Sequence, residues 1–402
     1  MVDNQNTFTN SKMTYKELLM LTLLSIYAML SIFNSSLLPR TFEFFGSIKY
    51  ILILIQFIFL ANIIIELMFS TLKKIFFVSM ILGVFLFSYY LTGMNVLLIT
   101  TIIIISFEKV DFEKIVFFMI LGQLLGLLFV LFNTYSGVIE NISTIRLGVE
   151  RFSLGFLNPN TVSNYFFSIA LKIMYLFRNK VSFIHLLILN IIFIFIILET
   201  NSRTSFVLFI FFDILYLLYV FFTKTNHGKL FLRISIISNR LLILFLLVIS
   251  YISAAYFSYS NSFWVTINEL FSNRISSSYK FFLEYNYSIF GQKVNLVSTY
   301  EASQSNIGAL ILDNGFLQLI IIHGIFATII FIVYWYKITS MLAWNFEILL
   351  SLVLIIYAVY GFTSGLFLSW EYNFVLFYGM KKINKIGIVK NDNRNSYISS
   401  IE

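Results

Sequence analysis

Long apolar stretches separated by short polar ones run through this chain from about residue 17 to residue 380. A helix rises ~1.5 Å per residue and a bilayer core is ~30 Å thick, so stretches of about 20 apolar residues predict membrane-spanning helices. Twelve are found, at roughly 17–38, 48–70, 75–91, 93–107, 115–136, 160–177, 182–198, 204–222, 241–258, 314–336, 342–360 and 363–380. The third and fourth share one apolar stretch broken only by Thr92 and Gly93. It reads either as a hairpin or as one span with a re-entrant piece. The pattern predicts an all-α polytopic membrane protein, one integral domain over residues 1–402. A large loop at 259–312 joins the ninth and tenth spans, and a basic tail follows at 381–402.

Composition agrees with the pattern. Of 402 residues, 59% are hydrophobic and 11% charged, where a soluble domain has about 25% charged. The chain has no cysteine and three histidines, so disulfides and a thiolate metal site are excluded and neither metal nor cofactor is expected. The polar first fourteen residues carry no cleavage pattern, and the first span is expected to act as the membrane signal.

The net charge of +8 changes the picture through its distribution, which points to topology and not to nucleic acid. In the twelve-span arrangement, nineteen lysines and arginines lie on the side of the N-terminus. The other side holds eight: Arg40, Lys49, Arg146, Arg151, Arg203, Arg274, Lys280 and Lys293. Lysine and arginine gather in cytoplasmic loops, so both termini are expected in the cytoplasm. Merging the third and fourth spans would invert every later loop, so the count keeps them separate. The loop at 259–312 then faces outward, and Trp264 to Tyr285 suits one or two amphipathic helices at the interface.

Nucleotide-binding loops, zinc-protease helices and nucleophile elbows are absent. What remains is a set of outward-facing arginines among hydroxyl and amide groups: Arg146, then Arg151 with Ser153, Asn158, Pro159 and Asn160, then Ser202, Arg203, Thr204 and Ser205. Arginine offers a fixed fork of donors that matches phosphate oxygens. Asn158 can cap the sixth span with Pro159 in its first turn, and Ser202 or Thr204 can do the same for the eighth, aiming helix N-termini outward. Ordinary capping explains these three residues equally well. Within the bilayer, Asp213 and Glu371 are the acidic candidates, Glu371 lying in the run SWEYN nearer the outer leaflet.

The combination of Arg146-Leu147-Gly148, RFSLGFLNPN at 151–160, SRTS at 202–205, the large outer loop and LDNGFLQLIIIHG at 312–324 resembles the Wzy-type repeat-unit polymerases of bacterial capsular and exopolysaccharide pathways, relatives of the O-antigen ligases. The motif resemblance covers roughly residues 140–325. It implies a GT-C-like membrane glycosyltransferase in the bacterial cytoplasmic membrane, joining repeat units carried on undecaprenyl pyrophosphate. It also implies a flippase and a chain-length regulator as partners. By this resemblance Arg151 and Arg203 grip the donor pyrophosphate, with Arg146, Arg274, Asn158, Asn160, Ser202 and Thr204 as further substrate contacts. Where related ligases carry a histidine and an amide before the tenth span, this chain has Asp313 and Asn314, so Asp313 is the expected base and Glu371 the alternative. His323, inside the apolar run, is expected to be structural. A flippase for the same lipid, or a ligase passing finished glycan to another acceptor, is the competing reading.

Overall fold

A computed structural model describes residues 13–146, 148–178, 183–225, 227–297, 301 and 310–381. The basic tail beyond Lys381 and the middle of the large loop lie outside the described residues. The chain forms α1 (Tyr15–Ser35), short turns α2 (Leu38–Thr41) and α3 (Glu43–Gly46), α4 (Ile48–Met68), α5 (Leu72–Thr92), α6 (Val96–Ser106) and α7 (Phe112–Tyr135). A hairpin of β1 (Ser143–Arg146) and β2 (Val149–Phe152) follows, then α8 (Asn160–Leu176), α9 (Phe183–Thr200), α10 (Arg203–Lys224) and α11 (Gly228–Tyr256). The large loop carries α12 (Ser262–Leu270) and α13 (Arg274–Tyr285), and α14 (Ile325–Trp344) and α15 (Ile348–Thr363) come after it.

Among the described residues, seven helices are long and apolar enough to cross a membrane: α1, α4 counted with α3, α5, α7, α10, α11 and α14. Three shorter apolar helices, α6, α9 and α15, accompany them. Large apolar side chains such as Phe57, Tyr90 and Leu198 stay exposed on the bundle surface, the arrangement expected where the surrounding solvent is lipid. Packing inside the bundle relies on small residues. A Cβ on Gly122 of α7 would lie 2.0 Å from the Ser25 carbonyl oxygen of α1. With Gly126 one turn on, it lets the two backbones approach as in small-residue helix pairs of membranes.

One end of the bundle is laced by ion pairs. Lys114 meets Glu17, Lys16 and Lys109 meet Glu66, Lys74 meets Glu108 at 2.5 Å, and Arg178 meets Glu113 at 2.7 Å. These contacts gather the starts of α1, α5 and α7 and the ends of α4, α6 and α8 on one face. The Lys74–Glu108 pair ties the start of α5 to the residue two past the end of α6, so the pair is a hairpin, turned at Gly93 and Asn95. α6, with 11 residues, is one of the shorter apolar helices and not one of the seven long enough to cross.

Two expected spans depart from the helix, and a third starts earlier than expected. The stretch expected to start a span at 314 forms a short turn at Gly315–Leu317 and a π-helix at Gln318–His323, and a regular helix resumes only at Ile325. Gly324 has φ +90°, and a Cβ there would meet the Gly291 nitrogen at 2.4 Å. The extended segment 288–292 lies against this break. Ser288 and Gln292 donate backbone N–H groups to Ile320 and Ile322, and Ile325 returns one to Ser288. The side chain of Gln292 donates to the Ile321 carbonyl at 3.1 Å. The loop therefore satisfies carbonyls that a broken helix would otherwise leave bare in an apolar bundle. The last expected span, 363–380, is two 3-10 segments, Gly365–Leu368 and Phe374–Met380, with a non-helical turn between them. The ninth helix starts at Gly228, well before residue 241, because Ser235, Asn239 and Arg240 bond to neighbouring helices rather than to water. Lys172, counted with the loop lysines in the charge tally, is instead wholly buried in α8, and the excess of charge on that side survives its removal.

Candidate functional site

The polar run at 151–160 is not an open loop. β1 and β2 pair antiparallel, Thr144 opposite Arg151 and Arg146 opposite Val149. The alternation in TIRLGVERF, with Leu147-Gly148 at its centre, is the hairpin signal that a reading as polar loop passes over. Gly155 follows at φ +83°, where a Cβ would lie 2.1 Å from the Thr134 hydroxyl. Only glycine permits that approach, which seats the run against α7 and leads it into α8.

Arg151 is 6% exposed. Its Nε donates to the Thr200 carbonyl at 2.9 Å and its Nη2 to Asn160 Oδ1 at 2.7 Å. The guanidinium thus sits on the carbonyl end of α9, where the helix dipole favours a cation, and holds Asn160 at the start of α8. Asn158 accepts the Asn160 N–H at 2.9 Å, but it stands one residue ahead of the N-cap, which is Pro159 and not Asn158 as expected. Ser202 occupies the N-cap of α10 without a side-chain cap bond. Its hydroxyl donates to Ser205, which in turn donates to Asn164 Oδ1 at 2.8 Å, tying the starts of α8 and α10 together.

These helix starts open on a cavity of about 540 Å³, a size suited to a small-molecule or headgroup ligand. Asn158, Asn160, Thr161 and Asn164 line it from α8, and Ser202, Thr204 and Ser205 from α10. Arg274 and Asp313 form part of another wall, paired Nε to Oδ2 at 3.1 Å, while Arg274 Nη1 donates to the Thr363 carbonyl at 2.8 Å. The Asp313 side chain remains 40% exposed. Met94, Val96, Leu157, Leu296 and Leu366 give the same cavity apolar surface, so its walls match an amphiphile.

The other expected site residues stand apart. Arg203 is the first residue of α10, exposed between the cavity residues Ser202 and Thr204, and its guanidinium has no protein partner among the described residues. Asn314 is buried behind Asp313. It caps the following turn by accepting from Phe316 and Leu317, and it donates to Ser250. Arg146 contributes to the hairpin backbone. Glu371 does not join the cavity. Its carboxylate is enclosed, accepting from Ser31 at 2.5 Å and Tyr165 at 3.3 Å. Asp213 also lies outside the lining residues, with Oδ1 buried and unpartnered.

No family model, curated protein or solved structure matches the chain. The site therefore rests on its geometry. Three more polar cavity groups are notable: His323, which the sequence reading takes as structural, and two that it does not name. His323 lines the wall, buried and with Nδ1 unpartnered, and Gln318 lies one π-turn before it. Asn164 is the third; its spacing of four from Asn160 was the available signal, since i and i+4 share a helix face.

Proposed function

We propose that this protein is a membrane glycosyltransferase that polymerises oligosaccharide repeat units carried on a polyprenyl pyrophosphate. In this reading the bundle is GT-C-like with about twelve passes, both termini are cytoplasmic, and the cavity faces outward from a bacterial cytoplasmic membrane. The observation that carries it is the convergence of the α8 and α10 N-termini on one amphipathic cavity, with Arg203, exposed and unpaired among the described residues, standing in sequence between the lining residues Ser202 and Thr204. Helix N-termini and arginine forks are what a pyrophosphate needs, and the mixed lining suits a ligand that is part sugar and part lipid.

The reaction follows from the placement. A hydroxyl of the acceptor sugar attacks the anomeric carbon of the donor, the bond from that carbon to the pyrophosphate oxygen breaks, and a glycosidic bond forms. Arg203 and the helix ends stabilise the charge that grows on the departing pyrophosphate. Asp313, oriented by Arg274 and open to the cavity, accepts the hydroxyl proton.

Incubation of purified protein with its lipid-linked repeat unit, without nucleotide or added metal, tests this. A ladder of longer glycans is the expected outcome. Substrate of unchanged length that moves between liposome leaflets would replace the reading with a flippase. A flippase needs its cations along a path through the bundle, whereas Lys172, the wholly buried lysine of α8, lines no part of the cavity.

A further inference from the structure

The turn between the two 3-10 segments lies deep in the bundle, yet its backbone is satisfied from four helices. The Glu371 carbonyl accepts from Lys172 Nζ and from Gln123 Nε2, both at 2.8 Å. Ser168 and Tyr357 donate to the Tyr372 carbonyl at 2.8 and 2.5 Å, and Thr100 accepts the Trp370 N–H at 3.3 Å. The Glu371 carboxylate is held by Ser31 and Tyr165. Lys172 is 0% exposed. Its three protons go to the Glu371 carbonyl, to Gln123 Oε1 at 2.8 Å and to Ser168 Oγ at 2.5 Å, and among the described residues no carboxylate lies within 4.0 Å of it. The wholly buried Lys172 amine and the partly buried Glu371 carboxyl group thus belong to one polar cluster, and among the described residues neither has an ion-pair partner. The cluster and the cavity share elements. Thr161 and Asn164 of α8 line the cavity one turn before Tyr165 and Ser168, and Leu366 and Ser369 line it just before Glu371.

We infer that Lys172 and Glu371 are positioning residues of the candidate site: together they fix the turn at 369–373, and through it the cavity wall at Leu366 and Ser369. Residues that share one buried hydrogen-bond network couple, so their substitutions do not simply add. The two side chains therefore act together, and the turn they clamp cannot relax into a regular helix.

The chain has no cysteine, so single reporters can be read without background. Leu366→Cys sits on the clamped wall, and Thr204→Cys on the α10 wall away from the cluster. Purified protein in nanodiscs is labelled with a charged maleimide in the parent, Lys172→Met, Glu371→Gln and doubly substituted backgrounds. Each single substitution is expected to change labelling at Leu366→Cys roughly tenfold while leaving Thr204→Cys within about twofold, as local and not global opening predicts. The double substitution should return Leu366→Cys toward the parent rate. Unchanged labelling at Leu366→Cys in folded single variants, equal change at both reporters, or no recovery in the double variant would overturn the inference. If Lys172→Met does not fold, Glu371→Gln, which keeps the side-chain shape and the backbone carbonyl, carries the same comparison. Polymerisation by these variants rests on the glycosyltransfer reading, but the labelling does not, so the two ideas fail separately.

Discussion

Arg151 and Arg203 look alike in the sequence, each opening a polar run before an apolar span, but the fold uses them in opposite ways. Arg151 is spent inside the protein, bridging the end of α9 to Asn160. Truncating it leaves the buried Thr200 carbonyl without this donor, at about 1–3 kcal/mol, and releases the partly exposed Asn160 side chain. Arg151→Ala should therefore lower the melting temperature in detergent as well as polymer yield, and a variant as stable as the parent would remove this structural role. Arg203 is exposed and unpaired among the described residues. Arg203→Ala should keep the parent melting temperature while long glycan disappears, and Arg203→Lys should recover part of it, lacking the bidentate fork. Polymer of parental length from Arg203→Ala would sink the donor grip. Asp313→Asn separates base from scaffold: kcat is expected to fall at least ~100-fold, within the range general-base catalysis contributes, with folding retained. Normal turnover would move the base elsewhere. The residue-scale reading was partly legible: Asn158, Asn160, Ser202, Thr204 and Ser205 proved to be cavity neighbours because they stand at two helix starts, while Arg151, Ser153 and Arg203 do not line the cavity. Lys172 and His323 were not legible, since their surroundings are built by segments far away in sequence.

At the scale of elements, apolar length located the helices but not their interruptions. A π-turn at 318–323 and a 3-10 pair at 365–380 have the hydropathy of ordinary spans, because their freed carbonyls are satisfied from outside the segment. Those donors, Gln292 for one and Lys172 with Gln123 for the other, cannot be paired with their acceptors by periodicity. The hairpin of α5 and α6 was legible through charge, since the count puts Lys74 and Lys109 on one face, and Glu108 beside Lys109 pairs with Lys74. Close helix contact carries its own prediction. With a Cβ at Gly122 overlapping the Ser25 carbonyl at 2.0 Å, Gly122→Val must push α7 from α1, at a cost of about 1–3 kcal/mol typical of overpacking. Scanning fluorimetry should show a lowered melting temperature. An unchanged value would mean that α1 and α7 part without penalty.

For the whole molecule, two faces are distinguishable. One carries the ion pairs of Glu17, Glu66, Glu108 and Glu113 with their lysines and Arg178, and the other carries the cavity at the starts of α8 and α10. Because α8 begins at the cavity and ends at Arg178, the two faces lie at opposite ends of one helix. The proposed orientation, drawn from the charge excess, puts the ion-paired face in the cytoplasm, and the proposed chemistry requires the cavity to open outward, where flipped repeat units are found. These two arguments are independent and must agree. In the cysteine-free chain, Thr204→Cys at the cavity should react with an impermeant maleimide added to intact cells, or to spheroplasts where an outer membrane blocks access, and Lys109→Cys on the ion-paired face only after permeabilisation. Lys109 is exposed and loses only a surface pair with Glu66, which contributes at most about 1 kcal/mol, so its replacement does not disturb the fold being read. The reverse pattern would place the cavity in the cytoplasm, where a nucleotide-free polymerase of outward-facing lipid-linked units has no substrate, and the proposed function would fall with the orientation.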